Sequence, residues 1–133
     1  MRFMKKKNRG KYIAPYGANI QLHEIETAKF LNRLGKDVEF LVPIYQKGAR
    51  TPDIKMDGFF WEIKAPQSNG KHTIEHILRK ALKQSKNIII DLRRSKSSDK
   101  KNISQITRNF KLIKDVNRIL IITKSNNLLD FKK

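Results

Sequence analysis

The sequence predicts a single α/β domain, a mixed sheet with helices on both faces. Segments of helical period alternate with strand-like runs in the order α-β-β-β-α-β-α-β, and no repeat or long linker interrupts them. Two runs, Asn87–Leu92 and Arg118–Thr123, are almost continuously apolar, as strands covered on both faces should be. The length, 133 residues, suits one compact body around one core.

Residues 1–17 read as a basic flexible arm and 18–133 as the folded domain. Met1 to Gly10 is basic and aperiodic, and Tyr12 to Ala18 is an irregular lead-in with Pro15 and Gly17. From Ile20 to Leu34 the spacing becomes helical, with Ile25, Ala28, Leu31 and Leu34 inward, and Gly35 is a good stop. Val38–Val42 is a strand, followed by a loop around Gln46 to Arg50. Thr51–Lys64 then reads as a β-hairpin turning at Asp57-Gly58. Ala65–Gly70 is turn-rich, and Thr73–Ser85 is a basic helix whose inner stripe is Ile74, Ile77, Leu78, Ala81 and Leu82. After the strand Asn87–Leu92, Arg93–Lys101 is a charged loop and Ile103–Asp115 a further helix. Arg118–Thr123 is a strand, with Leu128–Phe131 as an added edge.

Charge narrows the function classes. The chain carries 30 Lys and Arg against 12 Asp and Glu, a formal charge of +18. Such an excess works against a small fold by self-repulsion, so it points to a polyanionic partner, nucleic acid first and an anionic membrane surface second. No apolar run approaches the ~20 residues needed to span a bilayer. The start has positive charge but no apolar stretch after it, so it does not read as a secretory signal. With no cysteine, disulfides and Cys-based zinc sites are excluded.

The hairpin carries the chemistry. On its second arm, alternation puts Phe59, Trp61 and Ile63 on one face and Phe60, Glu62 and Lys64 on the other. Pro52 marks a strand start and places Asp53 near the hairpin mouth. Asp53 and Glu62 together offer the carboxylates a hard cation such as Mg²⁺ (or Mn²⁺) takes beside waters and substrate phosphate. Such a cation activates water and offsets charge on the phosphate, while Lys64 would orient that water and offset further charge. Taken alone, an ExK on a strand is equally an exposed hairpin face. Glu24, in register with Ala28 and Leu31, should face the sheet, where a metal beside Asp53 and Glu62 would partner it; helix-start acidity is the competing reading.

His72-Thr-Ile-Glu75-His76 matches an inverted zinc peptidase signature, but no glutamate follows Glu75 to complete the ligand set, and this reading is rejected. Its histidines are left as surface residues, or as phosphate contacts or acid–base groups of a metal-free RNA cleavage. Lys71, Arg79, Lys80, Lys83 and Gln84, with Arg93 and Arg94, are candidates for a stripe tracking a nucleic-acid backbone. Singly, each is an ordinary solvated residue.

Pro52-Asp53, then Glu62-x-Lys64, after a helix carrying Glu24, resembles the PD-(D/E)XK nuclease core, also called restriction-endonuclease-like. More narrowly, Trp61–Pro66 and Arg79–Arg94 resemble the C-terminal toxin domain of contact-dependent growth inhibition proteins. The resemblance covers Ile20 to Thr123. It implies a tRNA nuclease that acts as an antibacterial toxin in the cytoplasm of the cell it enters, delivered as part of a larger secreted protein and neutralised by a cognate immunity protein. Asp53, Glu62, Lys64 and Glu24 carry over as catalytic positions, with Asp53 and Glu62 holding metal; Gln84 and Asp91 match without an assigned role. Family domains end large proteins, whereas this sequence opens on Met1, so an excised domain and a free-standing relative are both expected forms. The competing functions are a DNA endonuclease of the same superfamily and a non-catalytic nucleic-acid-binding module.

Overall fold

The computed structural model describes residues 9–44, 48, 50–68 and 70–133. Its elements are β1 (Tyr12–Ile13), α1 (Leu22–Arg33), β2 (Val38–Phe40), β3 (Ile54–Met56), β4 (Phe59–Lys64), α2 (Thr73–Ala81), β5 (Asn87–Asp91), α3 (Asp99–Leu112), β6 (Arg118–Ile122) and β7 (Leu128–Lys132). The strands form one seven-stranded sheet in chain order. Pairing is parallel for β1–β2, β4–β5 and β5–β6, and antiparallel for the remaining neighbours.

The hairpin forms as its turn residues dictate. Asp57 and Gly58 both adopt positive φ (54° and 79°), the left-handed pair that lets a two-residue turn follow the twist of its strands. Trp61 is fully buried and donates its indole N–H to the Met56 carbonyl (3.0 Å), closing the hairpin from inside. Phe59 and Phe60 stay half exposed, so only the inner half of the aromatic arm enters the core.

Alternation divides the sheet between two apolar clusters. Trp61, Ile63, Ile89, Leu120 and Ile122 pack with Ala28, Phe30 and Leu31 of α1. On the opposite face, Ile88, Ile90, Ile119 and Ile121 pack with Ile74 and Leu78 of α2 and Ile106 of α3. Residues 88–90 of β5 are buried on successive faces, which explains the uninterrupted apolar run. Glu62 and Lys64 pair in register with Ile88 and Ile90, so they leave the sheet on the α2 side.

Several boundaries differ from expectation: β2 ends at Phe40 rather than Val42 and α2 at Ala81 rather than Ser85, and two further differences have a visible cause. The expected arm of residues 1–17 is too long: Gly10 N–H bonds the Asn32 carbonyl (2.8 Å), and Tyr12–Ile13 pair with β2. A side chain at Gly10 would run into the Lys36 carbonyl, so only glycine permits this approach. Residues 1–8 of that arm, and 45–47 and 49 of the expected loop, lie outside the described residues. α3 begins four residues before Ile103, because Ser98 caps it by accepting the Lys101 N–H (3.2 Å).

Candidate active site

The site begins with a clamp at the open end of the hairpin. Asp53 stands just before β3; its N–H bonds the Trp61 carbonyl and its own carbonyl accepts from Leu41 N–H, each at 3.0 Å. Its carboxylate then takes the place of a backbone acceptor, receiving the Ile63 N–H at 2.8 Å. Asp53 is thus fixed across from Glu62 by main chain on both sides, and Pro52 before it accounts for the ladder's ending there.

Glu62 is 4% exposed, and its Oε2 lies 3.3 Å from Lys64 Nζ. Its other oxygen, Oε1, is buried without a hydrogen-bond partner among the described residues. Glu24, 8% exposed in the first turn of α1, faces the same cavity of about 340 Å³, with Asp53, Lys64, Gln21 and His23 on its walls. Burial, reinforced by the Asp53 charge and opposed by Lys64, pushes the Glu62 pKa up to about 8. Burial and Asp53 push Glu24 up to about 7. Three acids around one cavity cannot all ionise cheaply, so the site holds protons near neutrality or needs a cation.

The donor set fits a hard cation. The carboxylates of Asp53, Glu62 and Glu24 are oxygen donors, with His23 the one imidazole on the wall, and Oε1 of Glu62 is without a partner among the described residues. Among the described residues no three His, Cys, Asp or Glu side chains close into a complete ligand group. Two carboxylates, Asp53 and Glu62, are the set that Mg²⁺ or Mn²⁺ takes when water and phosphate complete its shell. His72, just before α2, and His76, on it, are exposed, with His72 Nδ1 3.8 Å from Glu75.

The expected basic stripe is divided. Lys71 and Arg79 line a separate groove between α2 and α3, where Arg79 Nε contacts Glu75 at 3.3 Å. Lys80 and Lys83 are exposed. Lys80 lies one turn from Ile77, which lines the cavity, so it flanks the site side of α2. Gln84 is half buried with Oε1 unpartnered, in the turn whose Ser85 hydroxyl bonds the Phe60 carbonyl (2.8 Å), at the far end of β4 from Lys64. It therefore does not belong to an outer phosphate-tracking row.

Arg93 is taken up by structure. Its Nε and Nη2 donate to Asp91 at 3.0 and 2.7 Å, Nη2 also reaches the Glu26 carbonyl, and the guanidinium lies 5.1 Å over the Phe30 ring. Thr27 Oγ1 donates to the same carboxylate at 2.7 Å. Burial alone would raise the pKa of Asp91, but the hydrogen bonds from Arg93 and Thr27 outweigh it and hold it below its ordinary value. This network pins α1 to the end of β5 and so positions Glu24 and His23. Arg94, the next residue, is exposed beside the Gln67 amide. Sequence reasoning passed over His23, whose signal was adjacency to Glu24 in the first turn of α1.

Fold and site together define a small mixed α/β domain with an acid–lysine cluster at the end of its central strand and a strongly basic chain around it. Residues 50–128 match the family described as the contact-dependent growth inhibition CdiA C-terminal domain, and the chain belongs to that family. No curated protein matches it. Among solved structures, the CdiA-CT/CdiI toxin and immunity complex from Burkholderia pseudomallei is similar over 93% of this chain and 100% of that one, with TM-score 0.71 and 22% identity. At that identity the likeness carries the fold.

Proposed function

We propose that the domain is a metal-dependent endonuclease of PD-(D/E)XK type that hydrolyses RNA, tRNA in particular, and acts as an antibacterial toxin inside the cell to which a larger protein delivers it. One observation carries this reading: Glu62 is buried with a free oxygen and a raised pKa, between Asp53 and Lys64, in an open cavity of a chain with charge +18. A divalent cation held by Asp53 and Glu62 would supply water activation and charge neutralisation at the phosphate. Asp53 is held in place by the Ile63 N–H, and Lys64 keeps its ammonium on the side of Glu62 that faces the cavity. Glu24 and Glu62, with pKa values of about 7 and 8, must shed protons before they act as anions, so cleavage should rise with pH across that interval. The family and the neighbour's immunity partner support a cognate inhibitor for this chain as well.

The test is brief incubation of total RNA and of plasmid DNA with the protein and with Glu62→Gln, in Mg²⁺, Mn²⁺ or chelator. RNA fragments with 5′-phosphates are expected only for the unsubstituted protein with metal. Full activity in chelator would replace this reading with 2′-hydroxyl attack, and cleavage of DNA alone would make it a DNA endonuclease. Salt-dependent binding without any cleavage would make it a binding module.

A further inference from the structure

Next to the acid–lysine cavity lies a second one of about 490 Å³, walled by Gln21, Leu22, His23, Glu26 and Arg94. Its size falls in the ~300–1,000 Å³ range of ligand sites. It shares Gln21 and His23 with the first cavity, so the two are contiguous along the opening turn of α1. We propose that this second cavity seats the nucleotide flanking the cleaved phosphodiester, with Arg94 on its phosphate and His23 and Leu22 against its base. The proposal rests on the nuclease reading above and extends it.

The wall chemistry selects a nucleotide over a simple anion. Arg94 has no carboxylate partner among the described residues, whereas its neighbour Arg93 is consumed by Asp91. Two adjacent arginines have thus divided their work, one holding the fold and one left for a ligand. With its amide turned so that the oxygen faces Arg94, Gln67 accepts from Nε at 3.2 Å and from Nη2, which orients the guanidinium without neutralising it. His23 lies on the wall of both cavities, where its flat ring offers a stacking face and its nitrogens hydrogen-bonding edges. Leu22, 72% exposed, adds an apolar wall. Glu26 repels phosphate and accepts from exocyclic amines, placing phosphate toward Arg94 and base toward α1.

The test measures anisotropy of a short fluorescein-labelled single-stranded RNA across a KCl series, in a Glu62→Gln background so that the probe survives, with cleavage by each single variant measured in parallel. Arg94→Ala should weaken binding about tenfold and reduce the slope of log K against log salt by about one. His23→Ala should weaken binding severalfold at unchanged slope, and His23→Phe should restore it through stacking. Lys100→Ala, an equal charge lost from the exposed side of α3, is the control and should leave both quantities near their starting values. Unchanged affinity and slope in Arg94→Ala and His23→Ala, or an equal loss in Lys100→Ala, would overturn the subsite while cleavage by the unsubstituted protein leaves the nuclease reading intact. Absence of cleavage by that protein would remove both.

Discussion

On adjacent strands stand two acid–x–base pairs of the same spacing: Glu62 with Lys64 on β4, and Asp91 at the end of β5 with Arg93. Both acids are buried, yet they are driven in opposite directions. Asp91 receives a guanidinium, a backbone N–H and a threonine hydroxyl, and its pKa falls. Glu62 receives one ammonium at 3.3 Å, keeps an oxygen unpartnered, faces Asp53, and its pKa rises. Burial is similar; hydrogen bonding is not. A completed network is what a fold needs to hold two elements together, and an incomplete one is what a ligand can complete.

Breaking each pair should therefore give different losses. The largest effect is expected on cleavage. On the proposed nuclease reading, Lys64→Ala or Glu62→Gln should lower the rate on the order of a hundredfold to a thousandfold, since the first removes the ammonium that would offset charge developing in the transition state and the second a carboxylate that would hold the metal. For Glu62→Gln the melting temperature should be unchanged or higher, because the change relieves a buried, under-bonded acid. A Lys64→Ala protein cleaving near the original rate would show that the two pairs do not differ in kind. Next in size, Asp91→Ala should cost about 3–5 kcal/mol in denaturant unfolding, because Arg93 is left as a partly buried charge without its partner. Its activity should fall in step with the fraction unfolded; activity lost from a fully folded variant would place Asp91 in the chemistry.

The smallest effect sharpens the contrast through pH. For Glu62 the folded pKa of about 8 lies above the ordinary 4.5, so the folded state binds the extra proton and stability falls as pH rises from 4.5 to 8. Glu24 acts likewise up to about 7. For Asp91 the folded value lies below 3.8, so its contribution is present above that pH and is lost as pH falls through the folded value. Melting temperatures against pH should show Glu62→Gln flattening the neutral slope and Asp91→Asn flattening the acid one. A single slope altered equally by both would show that the two acids share one environment.

Much of the positioning was readable locally. Asp57-Gly58 announced the turn, period 2 placed Glu62 beside Lys64, and the period of α1 turned Glu24 toward the sheet. The apolar runs of β5 and β6 announced strands covered on both sides. What escaped was short or distant. β1 is two exposed residues with no pattern of its own, made a strand only by β2 beside it. The bond between Thr27 and Asp91 spans 64 residues, so nothing local marks either partner, and Arg93 consequently resembled a free surface charge. The basic helix faces two sides, and composition could not say that Arg79 goes to the α3 groove while Lys80 is left exposed outside it.

Strand order along the sheet is also order along the chain, and this bears on assembly. No strand must be threaded between two already paired, so the sheet can grow one edge at a time from any starting pair. The β3–β4 hairpin is the most local pair, closed by two turn residues, and hairpins of this kind form in about 1–10 μs. It delivers Asp53, Glu62 and Lys64 together at the outset, whereas Glu24 joins only when α1 docks and Thr27 meets Asp91. The acid cluster is thus gathered in two instalments, and the late one comes from the helix that walls both cavities.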